Sequence, residues 1–178
     1  VAKAGQPNSM TDERSLQSPK WNGDKATVGE EVTLSVKIQS QQGLRGGVEF
    51  KIYPEGADPK KDPPVATKTV RQESGTAEVK WRYQYIPGPE SLTAKPRFFF
   101  EAWAFRCEKV KSGLIEMGMV LKAKIVDGIG NPVENIGYTL YQPDGSGQEG
   151  KTSDNGLIDE TDLIPGVYKI VFNSKESG

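Results

Sequence analysis

The feature that most constrains the fold is a repeated pattern of short alternating runs separated by turn residues. Between positions 130 and 172, two such runs occupy 136–141 and 167–172, with Gly, Pro, Asp and Asn between them. Period-two runs rich in β-branched and aromatic residues are typical of strands, and turns every eight to twelve residues are typical of a β-sandwich. The 20 glycines and 12 prolines also favour turns. The sequence therefore predicts an all-β protein.

The pattern divides the chain into two consecutive β-sandwich domains. Residues 20–118 contain about seven predicted strands, which is the size of an immunoglobulin-like sandwich. The segment 119–173 predicts a second, smaller sandwich, and Gly118 is a candidate hinge between them. Residues 1–19 are polar without periodicity and are predicted to be a flexible lead-in, while 174–178 are predicted to be a polar tail.

Strand predictions follow from the alternation of apolar and polar residues. The clearest strand is Glu31–Gln39, and Trp21 before it is predicted to lie in the core. Further strands are predicted at 48–53 and, as a short edge strand, at 65–71. The last strand of the first domain is predicted at 110–117, and the first strand of the second domain at 119–126.

The segment 97–106 differs from the other predicted strands because it carries aromatic residues on both faces. Phe99, Trp103 and Phe105 fall on the face opposite the predicted core. Exposed aromatic residues in a row need cover. They either pack against a neighbouring strand, loop or the second domain, or form a protein-binding surface, where aromatic residues are common. We predict that Phe99, Trp103 and Phe105 bind a partner and that Tyr141 extends this surface on the second domain.

Composition excludes several classes of chemistry. The chain has no His, so it holds neither a Ser–His or Cys–His nucleophile nor a His-based zinc site. Cys107 is the single cysteine, which excludes an intrachain disulfide, and it is predicted to be structural or incidental. No phosphate-binding glycine loop or G-x-S-x-G motif occurs, and no carboxylate pair stands out. We predict a protein that is not an enzyme and needs no cofactor.

Charge and hydropathy limit the partners. The net charge is −1, which argues against nucleic-acid binding through a broad basic field. No apolar run approaches the roughly 18 residues of a membrane span. Calcium is an alternative for the acidic residues Asp154, Asp159, Glu160 and Asp162, but the D-x-[DN]-x-[DN]-G loop is missing. A solvated acidic surface without metal is the preferred interpretation.

Turn and core positions of the second domain form a recognisable pattern. The positions are Asp127, Gly130, Pro132, Val133, Tyr138, Leu140, Asp144, Gly145, Gly150, Thr152, Gly156, Leu157, Pro165, Gly166, Tyr168 and Ile170. This pattern resembles the transthyretin-like (prealbumin-like) module at the end of valine-glycine repeat protein G, the spike of bacterial type VI secretion. The first domain resembles an immunoglobulin-like repeat of spike-associated proteins. The positions that carry this resemblance include Trp21, Val32, Leu34, Trp81 and Phe100.

The resemblance implies a docking function. Such modules hold an effector or a spike-tip protein, reside in the bacterial cytoplasm before firing and leave the cell with the injection apparatus. Their oligomers form through shafts, so any oligomer is expected to depend on parts outside this chain. The partner would bind the outer aromatic residues or add a strand to an edge of the small domain. Two alternatives stay open: stalk domains of a bacterial surface adhesin, and a carbohydrate-binding module that uses Trp103 and Phe105.

Overall fold

The computed structural model describes residues 13–173, which form thirteen β-strands and no helix. The all-β prediction is confirmed. None of the described residues lies in a helix of the length and apolarity that crossing a membrane requires. The strands are β1 (Ser15–Trp21), β2 (Lys25–Thr27), β3 (Glu31–Gln39), β4 (Val48–Pro54), β5 (Ala66–Val70), β6 (Gly75–Arg82), β7 (Arg97–Ala104), β8 (Val110–Lys111), β9 (Ile115–Lys124), β10 (Gly137–Tyr141), β11 (Gly147–Lys151), β12 (Leu157–Leu163) and β13 (Lys169–Phe172).

Three sheets arrange these strands around two hydrophobic cores. The longest sheet has the order β12-β9-β7-β4-β5, with β2 beside β9 and β8 beside β7. It faces the sheet β1-β3-β6 in the first half of the chain and the sheet β11-β10-β13 in the second half. We call the parts around these cores the first and second units. The predicted edge strand at 65–71 is confirmed, because β5 ends the longest sheet.

The core of the first unit contains the inward rows of β3, β4 and β7, as their alternation predicts. Trp21 is buried there, and its ring meets Phe100 edge-on with 5.1 Å between the ring centroids. The indole Nε1 of Trp21 donates a hydrogen bond of 3.0 Å to the carbonyl of Gly113. Burial of this large ring therefore leaves no unpaired donor, which is the usual condition for a tryptophan in a core.

The core of the second unit is small. Its buried residues are Tyr138, Leu140, Ile158 and Leu163, from β10 and β12. The hydroxyl of Tyr138 donates a hydrogen bond of 2.8 Å to Glu160. The pKa of Tyr138 is raised to about 12, mainly by burial and secondly by this hydrogen bond. The phenol therefore stays neutral at physiological pH.

The predicted strand break at Gly118 is wrong, because β9 runs through this position without interruption. Its first residues pair with β7 and β2, and Met119–Lys124 pairs with β12. A Cβ atom at position 118 would lie 3.3 Å from the Cα of Asp162. The glycine is therefore explained by the close approach of the bulged strand β12 rather than by a hinge.

The prediction of a flexible lead-in is wrong for the residues that the structure describes. Residues 15–19 belong to β1, which pairs with β3 and buries Leu16. A bulge between Gln17 and Lys20, with Ser18 at a φ of 50°, interrupts the alternation. This bulge explains why the sequence shows no period of two there. Residues 1–12 and the predicted tail 174–178 lie outside the described residues.

Candidate functional site

The site is the outer face of the longest sheet, where β4 and β7 pair. Residues directly opposite each other in an antiparallel pair share one face of the sheet. The core face takes Val48, Phe50 and Ile52, so the alternate residues point outward. The outward pairs are Glu49 opposite Trp103, Lys51 opposite Glu101 and Tyr53 opposite Phe99.

Trp103 is the large apolar side chain at the centre of this face, and it is 42% exposed. A depression of about 200 Å³ beside it is lined by Glu49, Lys51, Glu101 and Lys109. The Nζ of Lys51 lies 3.3 Å from a carboxylate oxygen of Glu49, and that of Lys109 lies 3.8 Å from one of Glu101. The ring is therefore surrounded by two balanced ion pairs, and a ligand can contact ring and charges together.

Phe105 extends the surface beyond the end of β7. It is 50% exposed and lies in the turn that follows the strand. The guanidinium carbon of Arg106 lies 5.3 Å from its ring centroid, within cation–π range. The predicted exposure of Trp103 and Phe105 is thus confirmed, although Phe105 belongs to a turn rather than to the strand. We call these two residues and the depression the Trp103 surface.

The prediction that Phe99 is exposed is wrong. The residue points outward from β7 but is only 2% exposed. Its ring stacks on Tyr53, with 5.5 Å between centroids and 20° between planes, and the Nζ of Lys111 lies 3.9 Å from its centroid. The neighbouring strands β4 and β8 supply this cover, so Phe99 is unavailable to a partner.

Tyr141 lies apart from the Trp103 surface. It is 39% exposed at the end of β10, in the three-stranded sheet β11-β10-β13. That sheet shares no strand with the one that carries Trp103. The ring of Tyr141 lies over Gly147 of the neighbouring strand β11, since a Cβ atom there would be 3.5 Å from it. Sheet pairing therefore does not bring the four predicted residues into a single surface.

Three of the four acidic residues considered for calcium are engaged by protein groups. Asp159 lies 3.6 Å from the Nζ of Lys122, Glu160 accepts hydrogen bonds from Tyr138 and Gln148, and Asp162 lies 2.8 Å from the Nζ of Lys95. Among the described residues, no group of three or more His, Cys, Asp and Glu side chains is placed to hold a metal ion. Burial raises the pKa of the Cys107 thiol, which is the opposite of what an activated nucleophile needs.

A cluster of charges that joins the two units was not predicted. The Nζ of Lys95 lies 3.0 Å from Glu116 Oε1 and 2.8 Å from Asp162 Oδ1, and Lys25 is next to both acids at 3.9 and 4.0 Å. We call these four residues the ion cluster. Its members come from β2, β9, β12 and the segment before β7, so no sequence motif indicates it.

The comparisons with known proteins add no identity. No protein-family model matches this chain, and no curated protein matches it. The transthyretin-like and immunoglobulin-like resemblances therefore stay predictions from the sequence.

Proposed function

We propose that this chain is a non-catalytic protein-binding module that holds a partner on the Trp103 surface. The observation that carries the proposal is the position of Trp103. The inward row of β7 is complete without it, because Phe98, Phe100, Ala102 and Ala104 are all buried. Trp103 is 42% exposed, the 50% exposed Phe105 follows it in the chain, and ion pairs lie beside it, which is the combination of aromatic anchor and polar rim that a protein contact uses.

The surroundings of Trp103 suit a protein interface. Tryptophan is among the residues that contribute most binding free energy in such interfaces, and polar residues around it exclude water and align the partner. Here Glu49, Lys51, Glu101 and Lys109 form such a charged rim. Because the rim contains both signs of charge, it favours a partner with matched ion pairs over a uniformly charged polymer.

The biological setting of the proposal is a bacterial contractile secretion spike. In that setting the partner is an effector or a spike-tip protein, and the module leaves the bacterial cytoplasm with the injection apparatus. This part of the proposal rests on the sequence resemblance alone. The proposed binding surface stands on the geometry and is tested separately.

The test is capture of a partner from a lysate of the source bacterium with the purified chain and two variants. Trp103→Ala removes the proposed anchor. Ile86→Ala is the matched control, because Ile86 is an even more exposed apolar residue outside the strands. We expect one protein to be retained by the wild type and by Ile86→Ala, and to be reduced at least about tenfold by Trp103→Ala, as for a binding hot spot.

The captured protein is then identified by mass spectrometry and its binding reconstituted with purified components. Equal capture by Trp103→Ala and the wild type would contradict the proposed surface. Identification of a protein unrelated to secretion would remove the spike setting and leave the surface intact.

Carbohydrate binding is the second candidate, and the depression beside Trp103 is the observation that favours it. Sugars stack on exposed aromatic rings, and their hydroxyls donate hydrogen bonds to carboxylates and accept them from ammonium groups; both kinds of group line this depression. A glycan array with the wild type and Trp103→Ala separates the two functions. Specific glycan binding that Trp103→Ala abolishes would favour a carbohydrate-binding module over a protein-binding one.

A further inference from the structure

In the second unit, the second half of β9 and the strand β13 each have one edge without a strand partner among the described residues, and these two edges lie on the same side. Among the described residues, Met119–Lys124 of β9 pairs only with β12, and β13 pairs only with β10. Glu160 of β12 accepts hydrogen bonds from Tyr138 of β10 and Gln148 of β11. These contacts place β12 over β10 and β11, so β9 lies toward β13. We call the side between these two unpaired edges the open side.

Burial decreases across the second unit toward the open side. Every fully buried apolar residue of this core comes from β10 or β12. On the side of β9 and β13, the apolar residues that point into the core are only partly buried. They are Met119, Leu121 and Ala123 of β9, Ile170 of β13, and Tyr168 just before β13. Phe172, which is opposite the buried Tyr138 and shares its face, is 41% exposed. The core is therefore covered on one side and incompletely covered on the other.

The backbone of β9 offers hydrogen-bonding groups to the open side. The amide of Ile125 donates to the carbonyl of Gly156 at the β12 edge, whereas the carbonyl of Gly118 accepts from the amide of Val28 at the opposite edge. Backbone groups alternate in direction along a strand. Residues 120, 122 and 124 therefore direct their amides and carbonyls away from β12. Strand β2 pairs with this edge only as far as Gly118, so an added strand would continue in its line.

The charges on the open side indicate what kind of strand it accepts. Lys122 and Lys124 lie on the outer face of β9, and Lys169 lies on the outer face of β13. Lys122 lies 3.6 Å from Asp159 of β12 but is still 71% exposed, so it can contact a second carboxylate on the open side. Like charges directly opposite each other in a sheet are destabilising. A second copy of β9 would bring lysines close to lysines, and lysines at sheet edges commonly prevent such self-association. An acidic outer face on the added strand would instead complement them.

We propose that the open side binds an extended segment of a partner protein, which pairs with β9 as an added strand. Its apolar residues, at alternate positions, cover Leu121, Ile170 and Phe172, and the acidic residues between them meet Lys122 and Lys124. This inference rests on the proposed protein-binding function but uses a different surface from Trp103. Recognition by strand addition takes its affinity from backbone hydrogen bonds and its specificity from alternate side chains.

The test uses the full chain and a short synthetic peptide in which Val or Ile alternates with Glu. A first control peptide has the same composition with N-methylated backbone amides, and a second carries Lys in place of Glu. Hydrogen exchange followed by NMR reports the amides of Val120, Lys122 and Lys124. We expect the acidic peptide to slow their exchange at least about tenfold, and the N-methylated peptide to leave it unchanged.

Charge exchange provides the second measurement. The double variant Lys122→Glu/Lys124→Glu is expected to weaken binding of the acidic peptide about tenfold and to gain binding of the lysine peptide. Lys151→Glu on the distant edge strand β11 is the matched control and should bind as the wild type does. Trp103→Ala should also bind the peptide normally, so failure of the Trp103 surface and failure of this inference give different results. No protection of the three amides, or equal binding by the double variant, would overturn the inference.

Discussion

Phe99 and Trp103 point to the same face of β7 but differ in what lies over them. Tyr53 and Lys111 cover Phe99, whereas Trp103 is 42% exposed and borders a depression lined by charged side chains. Outward direction on a strand is thus not the same as exposure to solvent. The cover comes from neighbouring strands, which are Tyr53 on β4 and Lys111 on β8.

This difference predicts opposite effects of truncating the two side chains. Phe99→Ala should lower the free energy of unfolding by about 3 kcal/mol, since it empties a buried site between Tyr53 and Lys111. Trp103→Ala should change it by less than about 1 kcal/mol, as for most surface substitutions. Urea unfolding followed by far-ultraviolet circular dichroism measures both. Losses of equal size would show that Trp103 belongs to the core and would remove the basis of the proposed surface.

Among the elements, the β10–β11 pair depends on a glycine. Gly150 is directly opposite Tyr138, and a Cβ atom at position 150 would lie 2.5 Å from the hydroxyl of that ring. The ring of Tyr138 cannot move aside easily, because it is buried and its hydroxyl is hydrogen-bonded to Glu160. Gly150 therefore provides the space in which Tyr138 packs across the strand pair.

We predict that Gly150→Ala lowers the free energy of unfolding by about 1–3 kcal/mol, as overpacking typically does. The pKa of Tyr138, about 12 in the wild type, should fall toward 10.0 because the displaced ring gains solvent and loses Glu160. Since the folded-state pKa is raised, the stability from Tyr138 is full below pH 10 and declines as pH rises toward about 12.

Urea unfolding and the ultraviolet titration of phenolate measure the two effects. Gly128→Ala is the matched control, because no heavy atom lies within 4 Å of a Cβ there and its φ is not positive. If Gly150→Ala were as stable as Gly128→Ala, the described contact with Tyr138 would not constrain the strand pair.

For the whole molecule, β9 and the ion cluster join the two units. A strand that passes between two cores fixes their connection through its backbone, and Lys95 adds a contact to Glu116 and Asp162. The hydrogen bond from Lys95 holds the pKa of Asp162 below its usual value, and both acids raise the pKa of Lys95. The adhesin-stalk alternative would also use such a continuous connection, so rigidity alone does not distinguish it from an adaptor.

We predict that Lys95→Met lowers the free energy of unfolding by about 0.5–1 kcal/mol at low salt, as expected for partly exposed ion pairs. The difference should nearly vanish at about 1 M salt, where screening is strong. The folded-state pKa of Asp162 is lowered. Its contribution to the free energy of unfolding is therefore present above the ordinary aspartate pKa and is lost as pH falls through the lowered pKa. Lys95 has a raised pKa, so its contribution is lost as pH rises through that value.

Thermal unfolding at low and high salt, with Lys61→Met as the control lysine in an exposed loop, measures the effect. Within the described part of the chain, the Nζ of Lys61 pairs locally with Asp58 at 3.5 Å. A loss that did not depend on salt would show that Lys95 acts through packing of its aliphatic chain instead of through its charge.

The sequence alone determined the all-β class, the rows of β3 and β4 and the burial of Trp21, because alternation and turn residues are local properties. It also placed Trp103 on an outer face. The covering of Phe99, the position of Glu49 and Lys51 beside Trp103 and the continuation of β9 through Gly118 became visible once the strands were assembled. These features depend on which strands become neighbours. Contacts between residues far apart in the chain produce no periodic pattern in the amino-acid sequence. The bulge in β1 was missed for a related reason, since an extra residue shifts the alternation that reveals a strand.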